Sequence, residues 1–195
     1  MIEMSRQTGE TDIRLKLELK GRGQARIDTG IGFFDHMLEL WACHGFFDLE
    51  LEVVGDLEVD AHHTVEDTGI VLGQALDRGL GRREGISRYG QVLLPMDESL
   101  VMVALDVGGR AYYVENLEFS RNQVGGFPVE LLEEFFYSLT QNGQFNLHLR
   151  QLNGGNTHHL LEACFKGFAR ALDRALQPEA RLQGDPLTTK GRLKG

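Results

Sequence analysis

The sequence predicts an α+β fold made of two fused strand-then-helix repeats, related by a pseudo-two-fold axis and packed as a two-layer sandwich. Three observations lead to this prediction. Apolar and polar residues alternate in several short stretches, which is typical of strands with one buried face. Other stretches place apolar residues at helical spacing. The same order of elements occurs twice in the 195 residues, and each copy carries the motif HHxxE.

The first half of the chain predicts strands on either side of a helix, followed by a second helix. Apolar and charged residues alternate through TDIRLKLELK, and the glycines of GRG turn the chain back into a short return strand at residues 25–27. The stretch IGFFDHMLELWACHG has helical spacing, and Gly45 suits a helix C-terminus. The alternating stretch FFDLELEVVG and a loop then lead to a second helix, which begins at His62 and ends near residues 79–81.

The second half repeats this order with more strand at its start. The runs RYGQVLLPM, ESLVMVALDVGG and RAYYVENLEF predict strands, and a break at residues 125–128 precedes a helix in VELLEEFFYSLTQNG. The alternating stretch FNLHLRQL and the glycine loop NGGN lead into a long helix, THHLLEACFKGFARALDRAL.

Fixed spacings between equivalent residues indicate that the second half is a copy of the first. An offset of 96 residues relates His62 to His158, His63 to His159 and Glu66 to Glu162. An offset of 98 relates Gly45 to Gly143 and Asp48 to Asn146, so the second copy has a loop two residues shorter between strand and helix. Because no Pro/Ser-rich linker separates the copies, we predict a single domain over residues 1–195, with repeats at about 1–90 and about 91–185.

Composition and charge restrict the class of protein. A hydrophobic content of 42% in 195 residues is enough for a core, which argues against disorder. The net charge of -9 disfavours a nucleic-acid partner, since nucleic-acid binding depends on a basic face. Cys43 and Cys164 lie in apolar helical patterns and are predicted to be buried, structural thiols. No stretch approaches the ~20 apolar residues of a membrane span, so we predict a cytoplasmic protein.

The two HHxxE motifs have the spacing of metal ligands. Consecutive helical residues point about 100° apart, so His62 and His63 do not easily bind one ion, whereas residues four apart do. The favoured pairs are therefore His62 with Glu66 and His158 with Glu162.

The second histidine of each motif points sideways, and under a pseudo-two-fold axis it completes the pair of the other half. This exchange predicts two ions. The ligand sets are His62, Glu66 and His159 for one ion, and His158, Glu162 and His63 for the other. His36 and Glu134, which are 98 residues apart, are candidates for the fourth ligands. Imidazole and carboxylate without thiolate suit Mn²⁺, Fe²⁺ or Zn²⁺, and the carboxylates favour Mn²⁺.

Other interpretations of these histidines remain open. One HHxxE alone is more often a capped or solvated helix start, but two copies at the offset of an independent repeat favour a metal site. A protein that stores or senses metal without catalysis would also account for the ligands. His148 lies on the polar face of a strand and is predicted to be exposed, and His44 either caps a helix or contacts substrate.

Motifs spread over nearly the whole chain resemble those of the imidazoleglycerol-phosphate dehydratase family. They are TGETDI, DTGIGFFDHML, DAHHTVEDTGI, GISRYG, GGNTHHLLEACFKGFARAL and GDPLTTKG. The resemblance implies a ribosomal protein S5 domain 2-like fold. It also implies an enzyme of histidine biosynthesis, a hydro-lyase that converts imidazole glycerol phosphate to imidazole acetol phosphate and water.

The resemblance implies two Mn²⁺ ions per active site and extends each ligand set to four residues. One set is His36, His63, His158 and Glu162, and the other is His62, Glu66, His159 and Glu134. Glu134 is a departure, because several members of the family have histidine there.

The resemblance also assigns catalytic and substrate-binding residues. Glu10 is the implied proton-transfer group, and the ion-binding His62, Glu66, His158 and Glu162 take part in catalysis and, with His36, in substrate binding. The phosphate of the substrate would be bound by Arg88, Arg110, Lys166, Thr188, Thr189 and Lys190, and His44 is a further substrate contact. The C-terminal tail would thus bind substrate. Family members form a homo-oligomer of 24 subunits built from trimers, with active sites completed between subunits.

Overall fold

A computed structural model describes residues 1–193, and it contains two sheets of the same strand order. The first repeat comprises β1 (Ile2–Gln7), β2 (Thr11–Glu18), β3 (Ala25–Asp28), α1 (Gly32–Gly45), β4 (Asp48–Gly55) and α2 (His62–Leu80). The second comprises β5 (Tyr89–Met96), β6 (Ser99–Asp106), β7 (Tyr112–Asn116), α3 (Leu131–Gly143), β10 (Asn146–Asn153) and α4 (Thr157–Leu176). A small hairpin of β8 (Gln123–Val124) and β9 (Phe127–Pro128) precedes α3, and a 3-10 turn (Ala180–Leu182) follows α4.

The strand orders β1-β2-β4-β3 and β5-β6-β10-β7 confirm the predicted duplication. Each sheet begins with an antiparallel hairpin, β1–β2 or β5–β6. The strand that precedes the HHxxE helix, β4 or β10, pairs antiparallel with the hairpin, and a short strand, β3 or β7, pairs parallel with β4 or β10 at the sheet edge. The predicted return strand is wrong in one respect, because β3 pairs with β4 rather than turning back onto β2. The N-terminal strand β1 was not predicted, since its exposed outer edge carries only Ile2 and Met4 as apolar side chains.

Each sheet buries one face against helices. In β2 the inward residues Ile13, Leu15 and Leu17 are buried, and β6 buries Val101 and Val103 in the same way. Helix α2 packs on the first sheet and α4 on the second, while α2 contacts α3 and α1 contacts α4. The helices of the two copies therefore pack against each other between the sheets. This arrangement brings the starts of α1 and α4 together.

Two close approaches explain why glycine occurs at corresponding positions. A Cβ on Gly45 would lie 2.1 Å from the ring of Phe47, and one on Gly143 would lie 2.3 Å from the ring of Phe145. In each copy the helix therefore ends in glycine so that an aromatic ring of the next segment can pack under it.

Of the remaining sequence predictions about burial, some are confirmed and one is wrong. Cys164 is fully buried in α4, as predicted, but Cys43 is exposed on α1, and the prediction of its burial is wrong. His148 is exposed on β10, as predicted. None of the described helices is both long and apolar enough to cross a membrane.

Candidate metal centre and comparisons with known proteins

Three predicted metal ligands from opposite halves of the chain meet where α1 packs on α4. His36 Nε2 lies 3.3 Å from Glu162 Oε1, and His158 Nε2 lies 3.1 Å from the same oxygen. The ligand atoms of these residues all lie within 4.8 Å of one another. Within residues 1–193, no other group of three or more His, Cys, Asp or Glu side chains meets this spacing.

Glu162 is a buried carboxylate that a lysine keeps ionised. The residue is 6% exposed, and Lys166, one turn along α4, places Nζ 2.5 Å from Oε2. Burial alone would raise the pKa of Glu162, but the hydrogen bonds from Lys166 and His158 outweigh it and lower the pKa to about 2. The carboxylate is thus available as an anionic ligand at neutral pH.

The two HHxxE helices begin in the same way. The Asp60 carboxylate accepts from the His62 N–H at 2.7 Å, and the Asn156 side chain accepts from the His158 N–H at 2.9 Å. Asp60 and Asn156 are 96 residues apart, so this side-chain contact to the first histidine belongs to the repeat, although only Asn156 is the N-cap of its helix. The imidazole rings of each adjacent pair are nearly perpendicular, at 86° in both motifs. Because His62 faces Glu66 and His63 is bonded to Asp56, the prediction that neighbouring histidines point in different directions is confirmed.

The sideways histidine of each motif is held by a carboxylate that the sequence analysis missed. His63 donates through Nδ1 to Asp56 at 2.9 Å, and His159 donates through Nδ1 to Glu98 at 2.9 Å. Such a hydrogen bond fixes the tautomer and leaves Nε2 as the free donor nitrogen, which is the usual arrangement around metal-binding histidines. Asp56 follows β4, whereas Glu98 lies in the β5–β6 turn, so the repeat offset does not relate them.

These hydrogen bonds shift pKa values in the His63–Asp56 and His159–Glu98 pairs. Hydrogen bonding to Asp56 raises the pKa of His63, and hydrogen bonding to Glu98 raises the pKa of His159. The hydrogen bond from His159 lowers the pKa of Glu98 to about 2.

A single chain does not gather either predicted four-residue set. The Nε2 atom of His63 lies 3.7 Å from Glu10 Oε1, away from the group at His36, and His159 Nε2 lies 3.7 Å from Asp97. His62 and Glu66 form the expected pair on α2, with Nε2 and Oε2 3.8 Å apart. Glu134, in the first turn of α3, is partly exposed.

Two predicted substrate contacts, Lys166 and His44, lie on the two helices that carry the group at Glu162. Lys166 is bonded to that carboxylate, and His44 lies at the end of α1. Partial burial, then the positive charges of Lys166 and Arg170, lower the pKa of His44. Arg170, which the sequence analysis did not single out, donates to the His44 carbonyl oxygen at 3.1 Å and lies over the ring of Phe46, 5.3 Å from its centroid.

The other predicted phosphate contacts meet at the C-terminal tail. Arg88 forms a two-point ion pair with Asp106, at 2.8 and 3.0 Å, and donates to the Leu187 carbonyl oxygen at 2.6 Å. This bond anchors the chain just before Thr188, Thr189 and Lys190. Arg110 is exposed and follows Gly109, at which a Cβ would lie 2.7 Å from the Leu193 carbonyl oxygen. The tail therefore runs past both predicted arginine positions.

Comparison with known proteins identifies the family. A family model described as imidazoleglycerol-phosphate dehydratase matches residues 29–172. The chain belongs to this family. Membership confirms the resemblance drawn from the motifs, and with it the predictions of an enzyme, a lyase and a role in histidine biosynthesis.

Individual members of the imidazoleglycerol-phosphate dehydratase family match over almost the full length. The chain is 53% identical over 191 residues to the imidazoleglycerol-phosphate dehydratase of Acetivibrio thermocellus, covering 98% of this chain and 97% of that protein. It is 56% identical over 190 residues to that of Desulfitobacterium hafniense, covering 97% and 96%.

Two crystal structures of family members share the fold. The Staphylococcus aureus enzyme has a TM-score of 0.81 at 38% identity, over 91% of this chain and 99% of that chain. The Pyrococcus furiosus enzyme, in complex with (S)-C348, has a TM-score of 0.82 at 35% identity, over 96% and 99%. These likenesses confirm the predicted α+β class and its duplicated strand-helix units.

Proposed function

We propose that this enzyme removes water from imidazole glycerol phosphate to give imidazole acetol phosphate in histidine biosynthesis, with two Mn²⁺ ions per active site. The names of the relatives support the substrate. The observation that carries the metal dependence is the meeting of His36, His158 and Glu162 from opposite halves of the chain, with all ligand atoms within 4.8 Å.

The donor atoms suit a divalent transition metal. Imidazole nitrogen and carboxylate oxygen without thiolate favour ions such as Mn²⁺. The Asp56 and Glu98 carboxylates bound to the sideways histidines are the outer-shell partners that metal-binding histidines require.

The proposed ligand sets combine residues of more than one copy of the chain. His36, His158 and Glu162 would bind one ion together with a His63, and His62, Glu66 and Glu134 would bind the other together with a His159. In one chain the sideways histidines lie against Glu10 and Asp97 instead, so we assign them to the sites of neighbouring copies. A homo-oligomer, proposed to be 24 subunits built from trimers in the cytoplasm, would supply those copies.

The protein residues have separate tasks in the proposed reaction. Mn²⁺ ions bound here would supply Lewis-acid stabilisation of charge on the imidazole ring and the departing hydroxyl. Glu10 is proposed to transfer the proton, because its exposed carboxylate lies 3.7 Å from His63 Nε2 while Glu66 and Glu162 are committed as ligands.

The substrate phosphate would be bound by basic and hydroxyl side chains from two places. Lys166 is bonded to Glu162, and His44, a further proposed substrate contact, lies in the last turn of α1. Arg88, Arg110, Thr188, Thr189 and Lys190 would form the other part, with Arg88 holding the tail through the Leu187 carbonyl. The proposal therefore makes the tail that follows residue 185 part of the substrate site.

Turnover of imidazole glycerol phosphate by chelator-treated protein, measured before and after adding Mn²⁺, tests the function. Activity that depends on Mn²⁺ is expected. Metal binding without turnover would indicate a metal-storage protein and refute the enzymatic proposal.

Variants test the assignment of residues. His62→Ala and His158→Ala are expected to lose activity and part of the bound metal, and Glu10→Gln is expected to keep the metal and the native mass while losing most turnover. Wild-type metal content in both histidine variants would contradict the ligand sets, and metal loss in Glu10→Gln would contradict its role in proton transfer.

A further inference from the structure

We propose that the two metal sites of this enzyme are unequal in metal preference. The site built on α2 and α3, from His62, Glu66 and Glu134, is the tighter Mn²⁺ site. The site built on α1 and α4, from His36, His158 and Glu162, is the tighter Co²⁺ site. This inference rests on the ligand sets proposed above, and we name the two the carboxylate-rich site and the imidazole-rich site.

The difference begins with one pair of corresponding residues. His36 and Glu134 are 98 residues apart, the same offset as Gly45 and Gly143, and each lies near the start of its helix. The packing of α1 on α4 is matched by the packing of α3 on α2. His36 Nε2 reaches Glu162 across the first of these contacts. The equivalent position at the second contact presents a carboxylate in place of an imidazole.

A second pair of corresponding residues changes the charge near each site. Lys166 lies 96 residues after Ile70, and its Nζ is 2.5 Å from Glu162 Oε2. Glu66 has an apolar residue at the equivalent place one turn along α2. The imidazole-rich site therefore has one carboxylate with a lysine beside it, whereas the carboxylate-rich site has two carboxylates and no lysine at that position.

The two sites also differ in the solvent exposure of their glutamates. The Glu162 side chain is 9% exposed and the Glu66 side chain is 40% exposed. The distance from Nε2 to the carboxylate is 3.1 Å in the His158 pair and 3.8 Å in the His62 pair. The imidazole-rich site thus has the more buried carboxylate and three ligands already close together, and the carboxylate-rich site has the more exposed carboxylate and is more anionic.

These differences raise the affinity of one site for hard cations and the affinity of the other site for borderline cations. Mn²⁺ prefers carboxylate and water oxygen, and its attraction to a site grows with the negative charge of the ligands. Metals later in the first transition row gain more from imidazole nitrogen. The carboxylate-rich site should therefore fill first with Mn²⁺, and the imidazole-rich site should fill first with Co²⁺.

Metal titration of chelator-treated, assembled enzyme tests this inference. Equilibrium dialysis and calorimetry with Mn²⁺ alone, and separately with Co²⁺ alone, are expected to give two classes of site for each metal, with dissociation constants that differ by about tenfold or more. Glu134→Gln should remove the tight Mn²⁺ class and spare the tight Co²⁺ class, and His36→Ala should do the reverse.

Two further variants distinguish a change in metal preference from general damage to the protein. Ile70→Lys, which copies the lysine of the second repeat, should weaken the tight Mn²⁺ class without removing a ligand. Glu134→His removes one of the differences between the sites and should reduce the gap in affinity between the two classes for both metals. Glu133→Gln is the matched control, because Glu133 is exposed on the same turn of α3 and should leave both titrations unchanged.

The outcomes distinguish this inference from the function on which it rests. Two wild-type sites of equal affinity for each metal would overturn the inequality and leave the proposed function intact. The same holds if Glu134→Gln and His36→Ala weaken the same class for both metals. Binding of fewer than two Mn²⁺ ions per chain by the wild-type enzyme would instead overturn the proposed ligand sets themselves.

Discussion

Removing the lysine beside the buried carboxylate should destabilise the metal-free protein in a pH-dependent way. In Lys166→Met, the side chain of Glu162 remains 9% exposed but loses the ammonium 2.5 Å from Oε2. The ordinary pKa of 4.5 is lowered to about 2 in the folded protein, and that shift corresponds to about 3 kcal/mol of stability at pH 7. Since Lys166 donates the leading hydrogen bond that lowers the pKa, we expect a loss of about 2–3 kcal/mol.

The sign of the pH dependence follows from a lowered folded-state pKa. The contribution of Glu162 to the free energy of unfolding is complete above its unfolded-state pKa of 4.5. It is lost as the pH falls through the folded-state pKa of about 2. The difference in free energy of unfolding between wild type and Lys166→Met should therefore be largest at pH 7 and fall to about 1 kcal/mol at pH 3.

Urea unfolding of chelator-treated protein at pH 7 and pH 3 measures this difference. Lys16→Met is the matched control, because Lys16 pairs with Glu50 at 3.1 Å on the exposed face of the first sheet, where solvent screens the ion pair and its loss should leave stability nearly unchanged. The double variant Lys166→Met/Glu162→Gln should recover part of the loss, since it leaves no unpaired buried charge. A loss that is equal at both pH values would refute the reasoning.

Three further substitutions test other parts of the structure. Arg170→Gln should raise the KM for substrate about threefold to tenfold with little change in kcat, because it frees the end of α1; Arg174→Gln, which loses only a bond to a sheet carbonyl, should leave the kinetics unchanged. Asp56→Asn should weaken metal binding at the imidazole-rich site, to which His63 is assigned, by about 10-fold to 100-fold, measured by dialysis, and an unchanged affinity would argue against its role. Gly69→Ala should cost about 1–3 kcal/mol in urea unfolding, because its Cβ would lie 2.7 Å from an α3 carbonyl oxygen, whereas Gly9→Ala has open space and should be neutral.

The duplicated fold was predictable because its signals are local and repeated. The period of apolar residues located the four helices now seen in residues 1–193, and the 96-residue and 98-residue offsets related the two copies. The pairing of β3 was not predictable in this way. A glycine turn after β2 suggested a hairpin, but the hydrogen bonds of β3 go to β4, which lies beyond a whole helix in the sequence.

In the candidate site, only the residues that the repeat relates to each other were predictable from the sequence. The repeat identified His36, His158 and Glu162 as ligands, and these do converge in the structure. It gave no signal for Asp56 or Glu98, because one follows a strand of the first copy and the other lies in a hairpin turn of the second. Their role depends on which loop lies beside each helix start, and that is set by tertiary packing rather than by sequence spacing.

Adjacent histidines on one helix limit how a chain can use both of them as metal ligands. His62 faces Glu66 while His63 is bonded to Asp56, so the two rings of the α2 pair are directed to different partners, and the rings of the α4 pair likewise face Glu162 and Glu98. In each helix the first histidine faces the glutamate four residues on, and the second is fixed by a carboxylate that directs its Nε2 outward. A chain that uses both histidines as ligands must therefore place one of them in a site that its own helix does not complete. If the proposed ligand sets are correct, metal binding and subunit association are linked, and chelation should weaken the oligomer at the same metal concentration at which activity is lost.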